Sequence, residues 1–348
     1  GYGQWRLETA PKTDSIGKVA LLQGTFNTVF EYDPDRNWET FDQYRKLAVD
    51  VSREHEDLQV IVWPESTLSG NNPEIRVRAM PEKLPHGAVI GLREFRERLK
   101  KREENFRSRT RETAQLINSA STANDADRQI AMIGGTSTTI VDGEHHESYN
   151  SALLIKPDGT ISDRYFKMHR VLIGEYVPLA DRVEWIRQIT PIEGIRAGDG
   201  PKVFQVGQMA LLPNICFEST VPQLLRQQLQ TVEASGKRVD AIVNMTHDGW
   251  FWGSSILDLH MACGVFRAIE NRVPFLAAAN PGLTYACDGS GRIVQILPRM
   301  EKGAVVVDVR PDGRKSLYQV WGDGPFLLCA VFCLLIALGQ VFDPSRRR

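Results

Sequence analysis

Cysteine is scarce in this sequence, and its spacing fits neither a metal site nor a disulfide framework. Of 348 residues five are cysteine, Cys216, Cys263, Cys287, Cys329 and Cys333. None forms a Cys-x-x-Cys pair and no His-x-x-x-His lies nearby, so neither a zinc site nor a set of disulfides is expected. An odd count leaves at least one thiol free, and a free thiol raises the question of reactivity. Net charge is lacking too. The 42 Lys and Arg against 43 Asp and Glu give a formal charge of −1, which supplies no field to draw nucleic acid. There is no internal repeat and no low-complexity linker. Nor is there an initiator Met or an apolar leader: the chain opens Gly1-Tyr2-Gly3 and reads as a fragment or a processed product.

What is present is a chain that is 42% hydrophobic, enough for a sizeable core. KVALLQG (18–24) reads as a first strand closed by Gly, and 37–57 has helical spacing with Phe41, Tyr44, Leu47, Ala48 and Val51 on one face. LQVIVWPES (58–66) is a buried strand stopped at Pro64. Strand, helix, strand is α/β grammar, and in such folds sites gather at strand ends. Residues 71–112 break the rhythm. GLREFRERLKKREENFRSRTRE mixes both charge signs without a clear apolar stripe and reads as a solvated helix in an insertion; a membrane-surface role is the alternative.

Further strands are expected at 129–140 with a Gly-Gly break, at 151–159 with a hairpin partner at 160–165, and within 203–219 around a Gly207 turn. DAIVNMTHDGWF (240–251), PFLAAAN (274–280), RIVQILP (292–298) and AVVVDV (304–309) complete the set. Helices are expected at 220–235 and at 255–271, the latter with Leu259, Ala262, Cys263, Phe266 and Ile269 along its apolar face. Parallel-type apolar runs mixed with hairpin turns fit a mixed-sheet α/β sandwich better than a purely parallel sheet.

From Pro325 to Phe342 no residue is charged, and Arg346, Arg347 and Arg348 follow. A run of roughly 18 apolar-dominated residues is the lower limit for a bilayer span, and a basic flank belongs on the cytoplasmic side. The expectation is a transmembrane helix over 325–342 and a cytoplasmic tail over 343–348, with everything before them outside. A buried core helix, or a packed C-terminal strand and turn, is the alternative.

Three residues stand where strands end. Cys216, in Asn-Ile-Cys-Phe-Glu, closes an apolar strand and faces a helical start, which would lower its pKa. Glu65 follows a Trp-Pro break. Lys167 follows a strand in Tyr-Phe-Lys-Met-His. Singly, each has an ordinary reading: an inert buried thiol, a turn acid, a solvated lysine. Together they supply a nucleophile, a base and a cation for acyl transfer.

Their order and motifs, W-P-E-S, then Y-F-K-M-H-R-V-L-I-G-E-Y-V-P, then N-I-C-F-E, resemble the carbon–nitrogen hydrolase (nitrilase) superfamily. G-E-Y-V-P and N-M-T-H-D-G-W-F…H…F-R-A-I-E-N-R-V-P-F resemble its apolipoprotein N-acyltransferase branch over roughly residues 17–310. The resemblance implies a nitrilase-like α-β-β-α sandwich over 17–316, with Glu65, Lys167 and Cys216 catalytic and Glu175 and Glu218 as supporting acids. It implies a phospholipid acyl donor, a lipoprotein N-terminus as acceptor, no cofactor, and placement in the bacterial inner membrane with the domain on the periplasmic side. Residues 1–16 would be the exit of a membrane bundle preceding Gly1. Tyr176, Trp250, Phe251 and Trp252 are candidate substrate-binding residues. Departures from the branch pattern, at His169–Glu175, Trp250–Trp252 and Ala277–Asn280, spare the triad and fall on substrate loops. A membrane-tethered amidase and a non-catalytic membrane scaffold are the rival readings.

Overall fold

A computed structural model describes the chain except at 28–32, 86–88, 122–128, 173–174, 177–193 and 342–348. Two mixed sheets lie face to face. The first has the order β13-β1-β2-β4-β5-β6, with β3 joined to β4. It is built from β1 (Lys18–Gln23), β2 (Leu58–Trp63), β3 (Glu74–Ala79), β4 (Ala131–Asp142), β5 (His145–Ile155), β6 (Ile161–Phe166) and β13 (Gly303–Asp308). The second runs β12-β11-β10-β9-β8-β7. Its strands are β7 (Phe204–Val206), β8 (Met209–Ile215), β9 (Ala241–His247), β10 (Phe275–Asn280), β11 (Thr284–Cys287) and β12 (Ile293–Leu297). Each sheet centres on three parallel strands, β1, β2 and β4 in one and β8, β9 and β10 in the other.

Alternation along these strands creates three apolar layers. Val19, Leu21, Val60 and Val62 of the first sheet meet Leu211, Ile215, Met245 and Leu276 of the second. The opposite faces of β1 and β2 pack on α2 (Pro34–Glu54) through Phe41, Tyr44 and Ala48. The outer face of the second sheet packs on α4 (Pro222–Ala234) and α5 (Ile256–Asn271) through Leu225, Leu229 and Ala268. Three apolar layers between four of structure make the expected α-β-β-α sandwich.

Several local expectations need correction. The charged insertion forms α3 (Leu92–Ala120), and it does have a buried stripe: Leu99, Phe106, Thr113, Ala114 and Ile117. Its i,i+4 ion pairs, such as Arg98–Glu94, decorate the outer face. The stripe is hidden in sequence because two of its members are small or polar. The Gly-Gly pair breaks nothing, since β4 runs through Gly134 and Gly135. The apolar residues of α5 are placed the other way round: Leu259 and Phe266 are exposed, while Leu257, Gly264 and Ala268 face the sheet. That helix is apolar on both sides, so periodicity cannot choose its inner face.

The expected span over 325–342 is not found among the described residues, where no helix is long and apolar enough to cross a membrane. Helix α7 (Gly324–Val341), which follows the short α6 (Leu317–Trp321), covers 18 residues. At about 1.5 Å per residue that is about 27 Å, short of a hydrocarbon core of about 30 Å. Its apolar side chains are nonetheless exposed, Phe326, Leu328, Val331, Phe332 and Leu335 among them. The tail with Arg346–Arg348 lies outside the described residues. Helix α1 (Tyr2–Glu8) reaches the segment leading to α7: Arg314 Nη1 donates to the Arg6 carbonyl at 2.8 Å and Arg292 Nη2 to that of Leu7 at 2.9 Å.

Candidate active site

Pro64 ends β2, and the next residue, Glu65, turns back over β4. Gly135 allows this: a Cβ there would stand 2.5 Å from the Glu65 Cα and 2.7 Å from the Pro64 carbonyl oxygen. The second glycine of the pair is therefore a close-approach device for the acid. The Glu65 carboxylate is buried and held on both oxygens. Asn150 Nδ2 donates to Oε1 at 2.6 Å, and the His247 backbone N–H donates to Oε2 at 2.9 Å.

Lys167 follows β6, its backbone N–H donating to the Asn150 carbonyl at 2.9 Å. The residue is 1% exposed. It donates to Glu175 Oε1 at 2.8 Å and lies 3.7 Å from Glu65 Oε1. Burial alone would push such an ammonium toward neutrality; Glu65, Cys216 and Glu175 outweigh it, and the Lys167 pKa is raised. Glu175 also accepts the Val171 N–H at 2.8 Å, and Asn150 Nδ2 at 3.2 Å, so its loop is closed by its own carboxylate.

Cys216 stands where β8 ends and a 3-10 turn, Cys216–Thr220, begins. Its φ is +50°, in the left-handed region. Such backbone in a non-glycine residue is strained and recurs at functional sites. Of the described non-glycine residues with positive φ, three flank this site: Ser66, Cys216 and Trp252. The expected lowering of the thiol pKa does not occur. Burial raises it, the Glu65 charge raises it further, and Lys167 and a contact with the Thr246 hydroxyl oppose this only in part. A short 3-10 turn in place of a full helix has too weak a dipole to reverse that sum.

Glu218 does not join Lys167. Fully buried, it accepts the N–H groups of Met168 at 2.7 Å, His169 at 3.0 Å and Ile215 at 2.8 Å, together with the Tyr165 hydroxyl at 2.9 Å. Burial raises its pKa against these donors. It ties the loop after Lys167 to the strand before Cys216.

Of the candidate substrate residues, Trp250 and Trp252 are exposed and Phe251 and Tyr176 half-buried. Trp250 and Phe251 lie on the 3-10 turn Asp248–Phe251 after β9, and Trp252 follows it. Trp250, Trp252, Phe217 and Leu172 are exposed. Tyr176 lies under the Arg170 guanidinium, 4.3 Å from ring centre to Cζ. Asn150, Asn244, His247, Asp248 and His260 were not foreseen as site residues. The last four lie inside the quoted N-M-T-H-D-G-W-F…H pattern, where a polar run at the end of an apolar strand is the available signal. Asn150 gives none beyond its place at the head of an apolar run. No cluster of His, Cys, Asp and Glu suited to a metal occurs among the described residues.

The curated apolipoprotein N-acyltransferase of Rhodopirellula baltica is 31% identical over 100% of this chain and 62% of its own length. That of Geobacter metallireducens is 28% identical over 97% of this chain and 56% of its own. The chain thus spans about three-fifths of the length of these relatives. An amidase from Nesterenkonia sp. superposes with a TM-score of 0.53 at 18% identity, covering 87% of this chain and 93% of that one, which is a likeness of fold. The sequence profile of the carbon–nitrogen hydrolases matches residues 18–319, from β1 into the short helix that precedes α7, and the chain belongs to the carbon–nitrogen hydrolase family.

Proposed function

We propose that this chain transfers an acyl group through a thioester on Cys216 to an amine, with Glu65 as general base and Lys167 as oxyanion partner. The observation that carries this is the buried Lys167 ammonium set between the Glu65 and Glu175 carboxylates, within electrostatic reach of the Cys216 thiol. Because the thiol is neutral at rest, proton transfer to Glu65 accompanies attack and does not precede it. The sulfur adds to the acyl carbonyl, and Lys167 with a backbone N–H near Cys216 stabilises the oxyanion; one such donor is worth roughly 3–4 kcal/mol. Collapse breaks the ester bond, and protonated Glu65 returns its proton to the departing alcohol. An amine then attacks the thioester, Glu65 takes the amine proton, and the sulfur leaves and is reprotonated.

The names of the relatives support a lipoprotein N-terminal amine as acceptor. The exposed rim of Trp250, Trp252, Phe217 and Leu172 and the apolar α7 support a phospholipid donor and a membrane setting. A helix apolar all round is covered by protein or by lipid. On this reading α7 sits in the bacterial inner membrane and the 17–316 domain stands on the periplasmic side. Water as second nucleophile gives an amidase. The fold likeness to a Nesterenkonia sp. amidase supports that reading; in a mutant of that amidase the acetamide moiety of fluoroacetamide adds covalently at the active-site cysteine, an alkylation that marks that cysteine as reactive.

The test is intact-mass analysis of the chain incubated with phospholipid vesicles. An acyl adduct should appear on Cys216, vanish in Cys216→Ala, and move to an added lipopeptide amine faster than to water. Adduct on another cysteine would overturn the nucleophile assignment; discharge to water alone would select a hydrolase over an acyltransferase, and hydrolysis of a simple amide would then identify the amidase.

A further inference from the structure

A second polar network, with members outside the Glu65–Lys167–Glu175 cluster, converges on the backbone of Cys216. Three side chains reach its carbonyl oxygen: Ser219 Oγ at 3.1 Å, His260 Nε2 at 3.2 Å and Asn244 Nδ2 at 3.2 Å. His260 rises from α5, with Nε2 also 2.8 Å from Ser219 Oγ and Nδ1 3.0 Å from Asp248 Oδ1. The same Asp248 oxygen accepts the Thr246 hydroxyl at 2.8 Å. Ser219, Asn244, Thr246 and Asp248 are all buried. A carbonyl with two lone pairs rarely has three polar partners in an interior, and this one belongs to the strained residue.

One arrangement of protons gives every contact around the ring a donor. Nδ1 faces a carboxylate, so it carries a proton. Ser219 has one hydroxyl proton; given to the Cys216 carbonyl, it leaves Oγ to accept from Nε2–H. Both nitrogens then donate, and His260 is an imidazolium paired with Asp248. The surroundings agree: burial disfavours the charge, but the Asp248 hydrogen bond and charge outweigh it and raise the His260 pKa.

We propose that His260, charged and held by Asp248, is a positioning residue: it pins the Cys216 carbonyl and so keeps the nucleophile in the left-handed conformation from which its thiol meets the Glu65–Lys167 pair. A sparsely populated backbone state persists only where its surroundings over-determine it, and three donors on one oxygen supply that. The peptide unit is planar and trans. A carbonyl turned into the network therefore turns the Phe217 N–H away from it, leaving that donor outside the network. This rests on Cys216 being the nucleophile, as proposed above. Ser219, though hydrogen-bonded like the serine of a Ser-His-Asp triad, is 1% exposed and serves as a relay, not as a second nucleophile.

The test uses the full chain with His260→Leu, His260→Gln and Ser219→Ala. Two readouts are taken: steady-state acyl transfer, and the rate of iodoacetamide alkylation of Cys216 followed by peptide mass. The alkylation needs no lipid substrate. His260→Leu should lower kcat about a hundredfold, as for a misplaced reacting group, with KM within about twofold, and should slow alkylation on the order of tenfold. His260→Gln, which keeps one donor, should recover part of both. Should His260→Leu fail to fold, Ser219→Ala removes a single oxygen and should lower both rates severalfold. Wild-type kcat and alkylation in the folded variants, with only thermal stability lost, would reduce His260 to packing and overturn the proposal. If wild type transfers no acyl group yet His260 still governs alkylation, the positioning role stands and the acyl-transfer reading falls.

Discussion

The heart of the site and the outer rim of the molecule invert the usual placement of polar and apolar groups. Inside, Lys167, Glu65, Glu218 and Asp248 are buried. Outside, Trp252 is 72% exposed, Phe326 73% and Leu328 72%. Charged residues are almost never fully buried unless paired, and large exposed apolar patches mark interaction sites. Buried ion pairs are weak contributors to stability because desolvation offsets their attraction. The interior charges are therefore better explained by chemistry than by folding, and the exposed hydrocarbon by a non-aqueous neighbour than by chance. The two regions also differ in how they are packed. The charges sit on strand ends fixed by close contacts such as Gly135 on Glu65, while α7 leaves the domain after Gly322 and Asp323 with its side chains unpacked.

Removing charge from the interior should have the largest effect. Lys167→Met and Glu65→Gln are each expected to slow thioester formation at least about a hundredfold in single-turnover mass measurements. Lys167→Met should also destabilise the fold by about 3–5 kcal/mol in urea titration, because Glu65 and Glu175 lose their shared buried cation. Lys167→Arg should rescue neither, since a planar fork cannot occupy the place of a compact ammonium between two carboxylates. If Lys167→Met proves as active as wild type, the interior charges are structural and the contrast with the rim loses its functional half.

Much of the interior was legible because each member is announced by its own strand end. Glu65 follows Pro64, Lys167 follows the β6 run, and Cys216 follows the buried run of β8, so local pattern suffices. The sandwich was legible for the same reason, since apolar runs and hairpin turns are local. What was not legible depends on contacts across the fold. Asn150 matters because β5 sets it between two acids that are 85 and 25 residues away in the chain. The thiol pKa was read in the wrong direction because burial and the Glu65 charge come from the other sheet, while the sequence shows only the turn that follows Cys216. Strands β3 and β11 were missed because each is short and partly polar, EIRVRA and TYAC. The face of α5 was misassigned because both faces are apolar.

The outer region should respond more modestly, and separately. Phe332→Ala in α7 should weaken binding of the chain to phospholipid vesicles about tenfold, since a buried Phe side chain is worth about 1.5–3 kcal/mol of transfer. Reaction of Cys216 with a short, water-soluble acyl ester should not change. Flotation of the chain with vesicles measures the first and intact mass the second. Equal flotation of both proteins would mean that α7 is covered by something other than lipid.

The smallest expected effect is at Trp252, and it separates the side chain from the backbone that carries it. The ring is exposed on the rim, yet the residue sits at φ +49°, a conformation that favours glycine. Trp252→Ala removes the ring and keeps the strain; Trp252→Gly removes both. If the ring serves the acyl chain of a lipid donor, both variants should raise KM for vesicle-borne donor by the same factor, roughly three- to tenfold for about 1 kcal/mol of lost apolar contact. Their kcat should stay at the wild-type value, because Trp252 touches neither Glu65 nor Lys167. Stability should split the other way, with Trp252→Gly above Trp252→Ala by about 1 kcal/mol, the cost of left-handed backbone in a residue with a Cβ. A KM that follows stability, higher in the alanine variant than in the glycine one, would instead mean that Trp252 acts by shaping the turn after His247, whose N–H holds Glu65. The rim would then be an extension of the interior, and the division between the two regions would lie farther out, at α7 alone.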